Sequence, residues 1–194
     1  MSGTKIDDLK LGFLRDVFFS NAWSAAVANR VRKTYVKGAK DNERYFVYYT
    51  FQDFLYDLEK KYVAGKVDEK EHLANIESLV ERSMEDDLKS CLFKGKMTFG
   101  VAQKLLNMYL KYLWCAGIIK HEPPHCPIDS IVLRNLDIDT AQKSQGALPK
   151  WPDADEKTYN KYINKLNDKT NNPSQWELRE WNEYSNKDKE RYLR

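Results

Sequence analysis

Residues 94–115 read KGKMTFGVAQKLLNMYLKYLWC, a short glycine-containing connection followed by a long stretch free of helix breakers and of acidic residues. The connection, Lys94 to Phe99, leads into a helix from about Gly100 to Cys115. Before it, Asp68 to Phe93 places Leu73, Ile76, Leu79, Val80, Leu88 and Leu92 at helical spacing. Asp68, Glu69 and Glu71 there suit the positive end of a helix dipole. Two helices joined by a tight hairpin are the expected centre of the fold.

Helical periodicity continues on both sides. Asp7 to Phe19 and Asn21 to Lys37 read as two amphipathic segments, the second with Trp23, Ala26, Val27, Val31 and Tyr35 on one side and Gly38 as a stop. Glu43 to Val63 repeats the pattern through Phe46, Tyr49, Phe54, Leu55, Leu58 and Tyr62; within it, Tyr45 to Phe51 is the one rival strand, because aromatic and β-branched residues crowd there. Downstream, the prolines of His121 to Pro127 force extended backbone on the residues before them. A helix is expected to resume at Pro127, with Ile128, Ile131, Val132 and Leu136 on its buried side. Asp139 to Asp155 reads as loop, Glu156 to Leu166 and Pro173 to Tyr184 as helices, and residues 185–194 as a charged end that frays. The expectation is one all-α domain over residues 1–194, of seven or eight helices.

Composition agrees with a folded domain: of 194 residues, 42% are hydrophobic, 31% charged and 13% aromatic. A chain of this length buries roughly 70% of its unfolded surface, enough for a core without disulfide or metal. Apolar stretches are broken by charge well short of the ~20 residues a membrane helix needs, and mean hydropathy is -0.73, so no membrane partner is expected. Cys91, Cys115 and Cys126 are an odd set at no metal-ligand spacing, which favours a reducing cytoplasm. His121, His125 and Cys126 lack a fourth ligand at familiar spacing, so neither metal nor cofactor is expected. P-loop, G-x-S-x-G, H-E-x-x-H and paired C-x-x-C fingerprints are all missing, as is an Arg followed four to six residues later by His.

Charge is unevenly spread. Residues 91–194 hold 17 Lys/Arg against 13 Asp/Glu, whereas residues 1–90 hold 15 against 16. Two windows contain no carboxylate: Val17 to Lys40, with Arg30, Arg32, Lys33, Lys37 and Lys40, and Leu88 to His121, with Lys89, Lys94, Lys96, Lys104, Lys111 and Lys120. Lysines without neighbouring acids attract polyanions, since affinity for a phosphate backbone comes largely from counterion release. Nucleic acid, duplex DNA in particular, is the expected partner; a solvated helix face serving a protein partner, or none, is the plainer alternative.

The hairpin Phe99-Gly100-Val101-Ala102-Gln103-Lys104, followed by Cys126-Pro127-Ile128-Asp129-Ser130-Ile131-Val132-Leu133-Arg134, resembles the helix-hairpin-helix DNA glycosylase superfamily of base-excision repair, which includes 8-oxoguanine glycosylases and endonuclease III. The resemblance covers Lys94 to about Leu136. It implies that Gly100 lets backbone approach a phosphate, with Lys94 and Lys96 flanking that spot and Lys111 further along the DNA-binding side. It also implies that Lys104 attacks the sugar C1′, as in the bifunctional members, and that Asp129 stabilises charge developing on the sugar or activates the nucleophile. A lysine attacks only when neutral, which requires a desolvated or cation-rich pocket. The motif departs from the family pattern at Phe99, where proline is usual, at Ala102, where a second glycine is usual, and at Leu105 and Leu106, where small residues are usual. Each residue also has a simpler use: Lys104 and Lys111 as a solvated face, Asp129 as a helix cap, Tyr109, Tyr112 and Trp114 as core. The rival to a nucleic-acid-binding, glycosylase-like protein is a non-catalytic helical interaction protein of mobile-element or host-defence type.

Overall fold

In a computed structural model, which describes residues 6–27, 34–138, 140 and 147–192, eight α-helices follow one another: α1 (Ile6–Ala26), α2 (Asp41–Ala64), α3 (Glu69–Ser83), α4 (Asp86–Lys89), α5 (Phe99–Cys115), α6 (Ser130–Asn135), α7 (Glu156–Lys169) and α8 (Pro173–Tyr192). Single 3-10 turns at Phe93–Gly95 and Trp151–Asp153 precede α5 and α7. No strand occurs among the described residues, and Tyr45 to Phe51 is helix within α2. The chain is an all-α domain with one buried core.

Helix α5 forms the axis. Ala102, Leu105, Leu106, Tyr109, Leu110 and Leu113 are essentially inaccessible, because α1 and α3 flank the helix on one side while α7 and the Trp151 turn cover its beginning. Caps fix where the helices start: Thr98 Oγ1 accepts the Val101 N–H (3.2 Å), Asp68 the Glu71 N–H (2.8 Å) and Asp155 the Thr158 N–H (2.8 Å). Between α1, α2 and α5 the buried Glu59 carboxylate accepts from the Arg15 guanidinium (2.6 and 2.8 Å) and from the Tyr109 hydroxyl (2.6 Å). Desolvation and this carboxylate together push the Tyr109 hydroxyl pKa far up.

Several boundaries differ from expectation. Residues 21–26 continue α1, whose buried side Phe19, Ala22, Trp23 and Ala26 runs on past Ser20; Arg30, Val31, Arg32 and Lys33 lie outside the described residues. The long helix expected over Asp68 to Phe93 breaks at Met84, where Arg82 turns to pair with Glu85 (3.0 Å) and Asp87 (2.9 Å). Pro127 does not start a helix: residues 127–129 are non-helical and α6 begins at Ser130. Helix α8 continues to Tyr192. Tyr35 pairs with Leu92 in an isolated antiparallel bridge, and the Val36 N–H donates to the Cys91 carbonyl (3.0 Å), tying residues 34–40 to the α4–α5 connection. Among the described residues no helix is long and apolar enough to cross a membrane.

Candidate functional site

Within α5, four polar residues, Gln103, Lys104, Asn107 and Lys111, interrupt an otherwise apolar helix at spacings that put them on adjoining faces. The first three hold the proline-rich segment and the start of α6, and Lys111 holds α8. The Gln103 amide donates to the Ile128 carbonyl (2.7 Å) and accepts the Ile128 N–H (3.1 Å), as a strand neighbour would. Asn107 donates to the Cys126 carbonyl (3.2 Å) and the Tyr159 hydroxyl (3.2 Å). Segment 126–128 is thereby pinned along α5, and Asp129 arrives beside Lys104.

Lys104 Nζ donates to Asp129 Oδ2 at 3.1 Å, with the lysine side chain 9% exposed and the aspartate 24%. The other carboxylate oxygen, Oδ1, caps α6 by accepting the N–H groups of Ile131 (2.8 Å) and Val132 (3.1 Å). The lysine ammonium also lies over the Trp151 ring, 4.6 Å from its centroid. The two residues singled out 25 positions apart in sequence thus meet, and Asp129 is at once the cap and the ion-pair partner. Neither is a solvated surface group.

Lys111, two turns along the same helix, faces Glu177 of α8 at 2.6 Å, both side chains nearly buried. Burial raises the Glu177 carboxyl pKa, and the Lys111 charge works against that rise. Lys111 is therefore not a solvated residue: its ammonium, expected at a phosphate, is nearly buried against a carboxylate. Asp129, Ile131, Val132, Asn135, Glu177, Glu180 and Trp181 line a small cleft with a cavity volume of about 20 Å³, room for about one water molecule, and Trp181 is half exposed.

At the hairpin the expectation for Gly100 also changes. A Cβ built on this glycine would stand 1.7 Å from the Trp151 carbonyl oxygen. Its N–H donates to the Ala154 carbonyl (3.0 Å), and Thr98 Oγ1 donates to the Pro152 carbonyl (2.6 Å). The close backbone approach that the glycine allows is therefore to the 151–154 turn of this chain, which fills the start of α5 where a phosphate was expected. Lys94 and Lys96 lie exposed in the turn before it. Lys94 adopts φ 58°, a left-handed conformation that side chains seldom take, and Gly95 follows with φ 70°.

A second buried polar group lies on the far side of Asn107. The His72 and His125 rings meet edge to face, 4.8 Å apart. Each binds a tyrosine hydroxyl through Nδ1: His72 to Tyr62 (2.8 Å) and His125 to Tyr159 (2.9 Å). Desolvation lowers the pKa of both, His125 to about 4 against an opposing pull from Glu69, and His72 well below its ordinary value. Among the described residues no group of three or more His, Cys, Asp or Glu side chains is placed to hold a metal. Gln103, Asn107 and His72 escaped the sequence reading, although polar residues one turn apart on an apolar helix signal the first two. Compared with protein-family models, curated proteins and solved structures, the chain matches none.

Proposed function

We propose that this protein binds nucleic acid through the basic surface formed where residues 34–40 run beside the α4–α5 connection. The observation that carries the reading is the Tyr35–Leu92 bridge, because it joins the two carboxylate-free windows of the sequence. Lys37 and Lys40 on one strand of that junction and Lys94 and Lys96 on the other are exposed. A phosphate backbone crossing them meets several cations, and counterion release then drives association. The strained Lys94 backbone fits the reading, since local strain gathers where a side chain must point in a set direction. Fluorescence anisotropy with a labelled duplex tests it: log affinity falls linearly with log salt, and Lys94→Gln with Lys96→Gln reduces the slope by about 2 while leaving the melting temperature unchanged. No binding at about 50 mM salt overturns it.

The 3.1 Å approach of Lys104 to Asp129 favours a second reading, base-excision chemistry of the helix-hairpin-helix glycosylase type. In it the pair opens and Lys104 loses a proton to solvent; its Nζ then bonds to C1′ as the N-glycosidic bond breaks, Asp129 stabilises positive charge on the sugar, and the base leaves with the bonding pair and takes a proton from solvent. The small cleft beside Asp129, with room for about one water molecule, has to widen to receive the extruded base. Borohydride trapping on duplexes bearing 8-oxoguanine, uracil or an abasic site gives a covalent complex that Lys104→Gln abolishes. An uncleaved, untrapped panel with intact duplex binding leaves the protein a binder only.

A further inference from the structure

The start of α2 carries an aromatic pair that the core does not use. Tyr45 and Tyr49, one helical turn apart, are 62% and 56% exposed, and their rings stack with centroids 6.4 Å apart and planes 26° from parallel. They do not hang free. Tyr49 meets the edge of Tyr48 (5.1 Å, 89°), and Tyr48 is wedged edge-on against Phe19 (4.9 Å) and Trp23 (5.4 Å) of α1. A ladder of rings thus runs from the core to the surface and fixes the orientation of the outer pair.

This pair adjoins the basic junction. Arg44, the residue before Tyr45, lies over the Tyr35 ring at 5.8 Å, and Tyr35 is bridged to Leu92. On the other side of that bridge, the exposed Phe93 carries Lys94 Nζ 5.6 Å from its ring centroid. Carboxylates at both edges are engaged: Glu43 accepts the Lys40 N–H (2.6 Å) and Asp41 pairs with Arg44 (3.7 Å), while on α4 Glu85 and Asp87 pair with Arg82 and Asp86 with Lys89. Asp53, exposed one turn beyond Tyr49, closes the platform on that side.

Cations that track a phosphate backbone beside rigid, exposed rings are what unpaired bases require, because every base offers a π-face while a duplex hides those faces in its stack. We propose that Tyr45 and Tyr49 form a stacking platform for unpaired bases, so that the preferred ligand is a nucleic acid containing a single-stranded segment rather than a continuous duplex. The inference rests on the nucleic-acid reading above and makes it more specific.

The test compares a labelled oligothymidylate of about 20 nucleotides with a duplex of equal length by anisotropy at one salt concentration. The single strand binds more tightly. Tyr45→Leu with Tyr49→Leu weakens it by tenfold or more and leaves duplex affinity within about twofold, since each stacked base is worth roughly a factor of ten. Tyr45→Phe with Tyr49→Phe, which keeps both rings, retains the wild-type preference. Both residues are exposed, and circular dichroism melts confirm that each variant folds. Duplex binding without preference for the single strand, or equal loss with leucine and phenylalanine, overturns the platform while the basic surface stands. Loss of self-association in the leucine variant without loss of single-strand affinity also overturns it, by showing the face to be a protein interface. Absence of binding to either ligand removes the basic-surface reading and the platform together.

Discussion

Gly100→Ala separates what the sequence suggests at the hairpin from what the fold does there. The added methyl would lie 1.7 Å from the Trp151 carbonyl oxygen and 2.9 Å from its carbon, both backbone atoms that cannot swing aside as a side chain would. Relief requires the 151–154 turn to retreat by more than an ångström. That retreat stretches two hydrogen bonds, Gly100 N–H to Ala154 and Thr98 Oγ1 to Pro152. It also loosens the cover that buried Trp151 places on the start of α5. Two hydrogen bonds at about 1 kcal/mol each and an overpacking cost of about 1–3 kcal/mol give about 3–5 kcal/mol. Alanine's better helix propensity offsets up to about 1 kcal/mol of this, leaving a net loss of about 2–4 kcal/mol. Urea unfolding followed by circular dichroism measures it as a lower midpoint at unchanged slope. If Gly100 instead served to admit a phosphate, the variant would keep its stability and lose DNA affinity. A Gly100→Ala protein as stable as the wild type would refute the packing argument.

Acid should unfold the protein early. His125 is held near pKa 4 and burial holds His72 well below its ordinary value, so the unfolded chain binds more protons than the folded one, and stability is complete above the unfolded value of about 6.5 and declines as pH falls toward 4. For His125 alone the loss is about 2 kcal/mol at pH 5 and about 3 kcal/mol near pH 4; urea titrations at pH 7 and 5 measure it, and equal midpoints would contradict the neutral-pair geometry. Lys111→Ala strands the Glu177 carboxylate in the interior and should cost about 3–5 kcal/mol, whereas Lys111→Met with Glu177→Leu should restore most of it. Thermal melts of the two variants decide the point, and a silent Lys111→Ala would return this lysine to the solvated face.

The helices of this fold were legible because their signals are local. Periodic apolar residues, the acids Asp68, Glu69 and Glu71, and the prolines at 123–127 each act within a few residues, and α2, α5, α7 and the start of α3 appear close to where those signals put them. Boundaries failed where a tertiary contact decided them. No local rule says that α1 continues through Ser20; it does so because Phe19 and Trp23 share one buried side. Likewise the break at Met84 depends on Arg82 finding Asp87 and on the Ser83 hydroxyl receiving the Met97 N–H from 14 residues away.

The site divided in the same way. Sequence spacing could nominate Lys104 and Asp129, and the Gln103 and Asn107 amides explain why they meet, since both fix the backbone that carries Asp129 to the side of α5. Spacing could not show that residues 151–154 fill the start of that helix, because the filling element lies about fifty positions away in an unpatterned loop. The consequence is a distinction between two kinds of cation in one acid-free window. Lys104 and Lys111 spend their charge on Asp129 and Glu177 inside the protein, while Lys94 and Lys96 keep theirs at the surface. A charge count treats all four alike. Only the exposed pair, joined by the Tyr35–Leu92 bridge to Lys37 and Lys40, contributes to a field that a polyanion would feel, because a paired, enclosed charge is largely cancelled beyond a few ångströms.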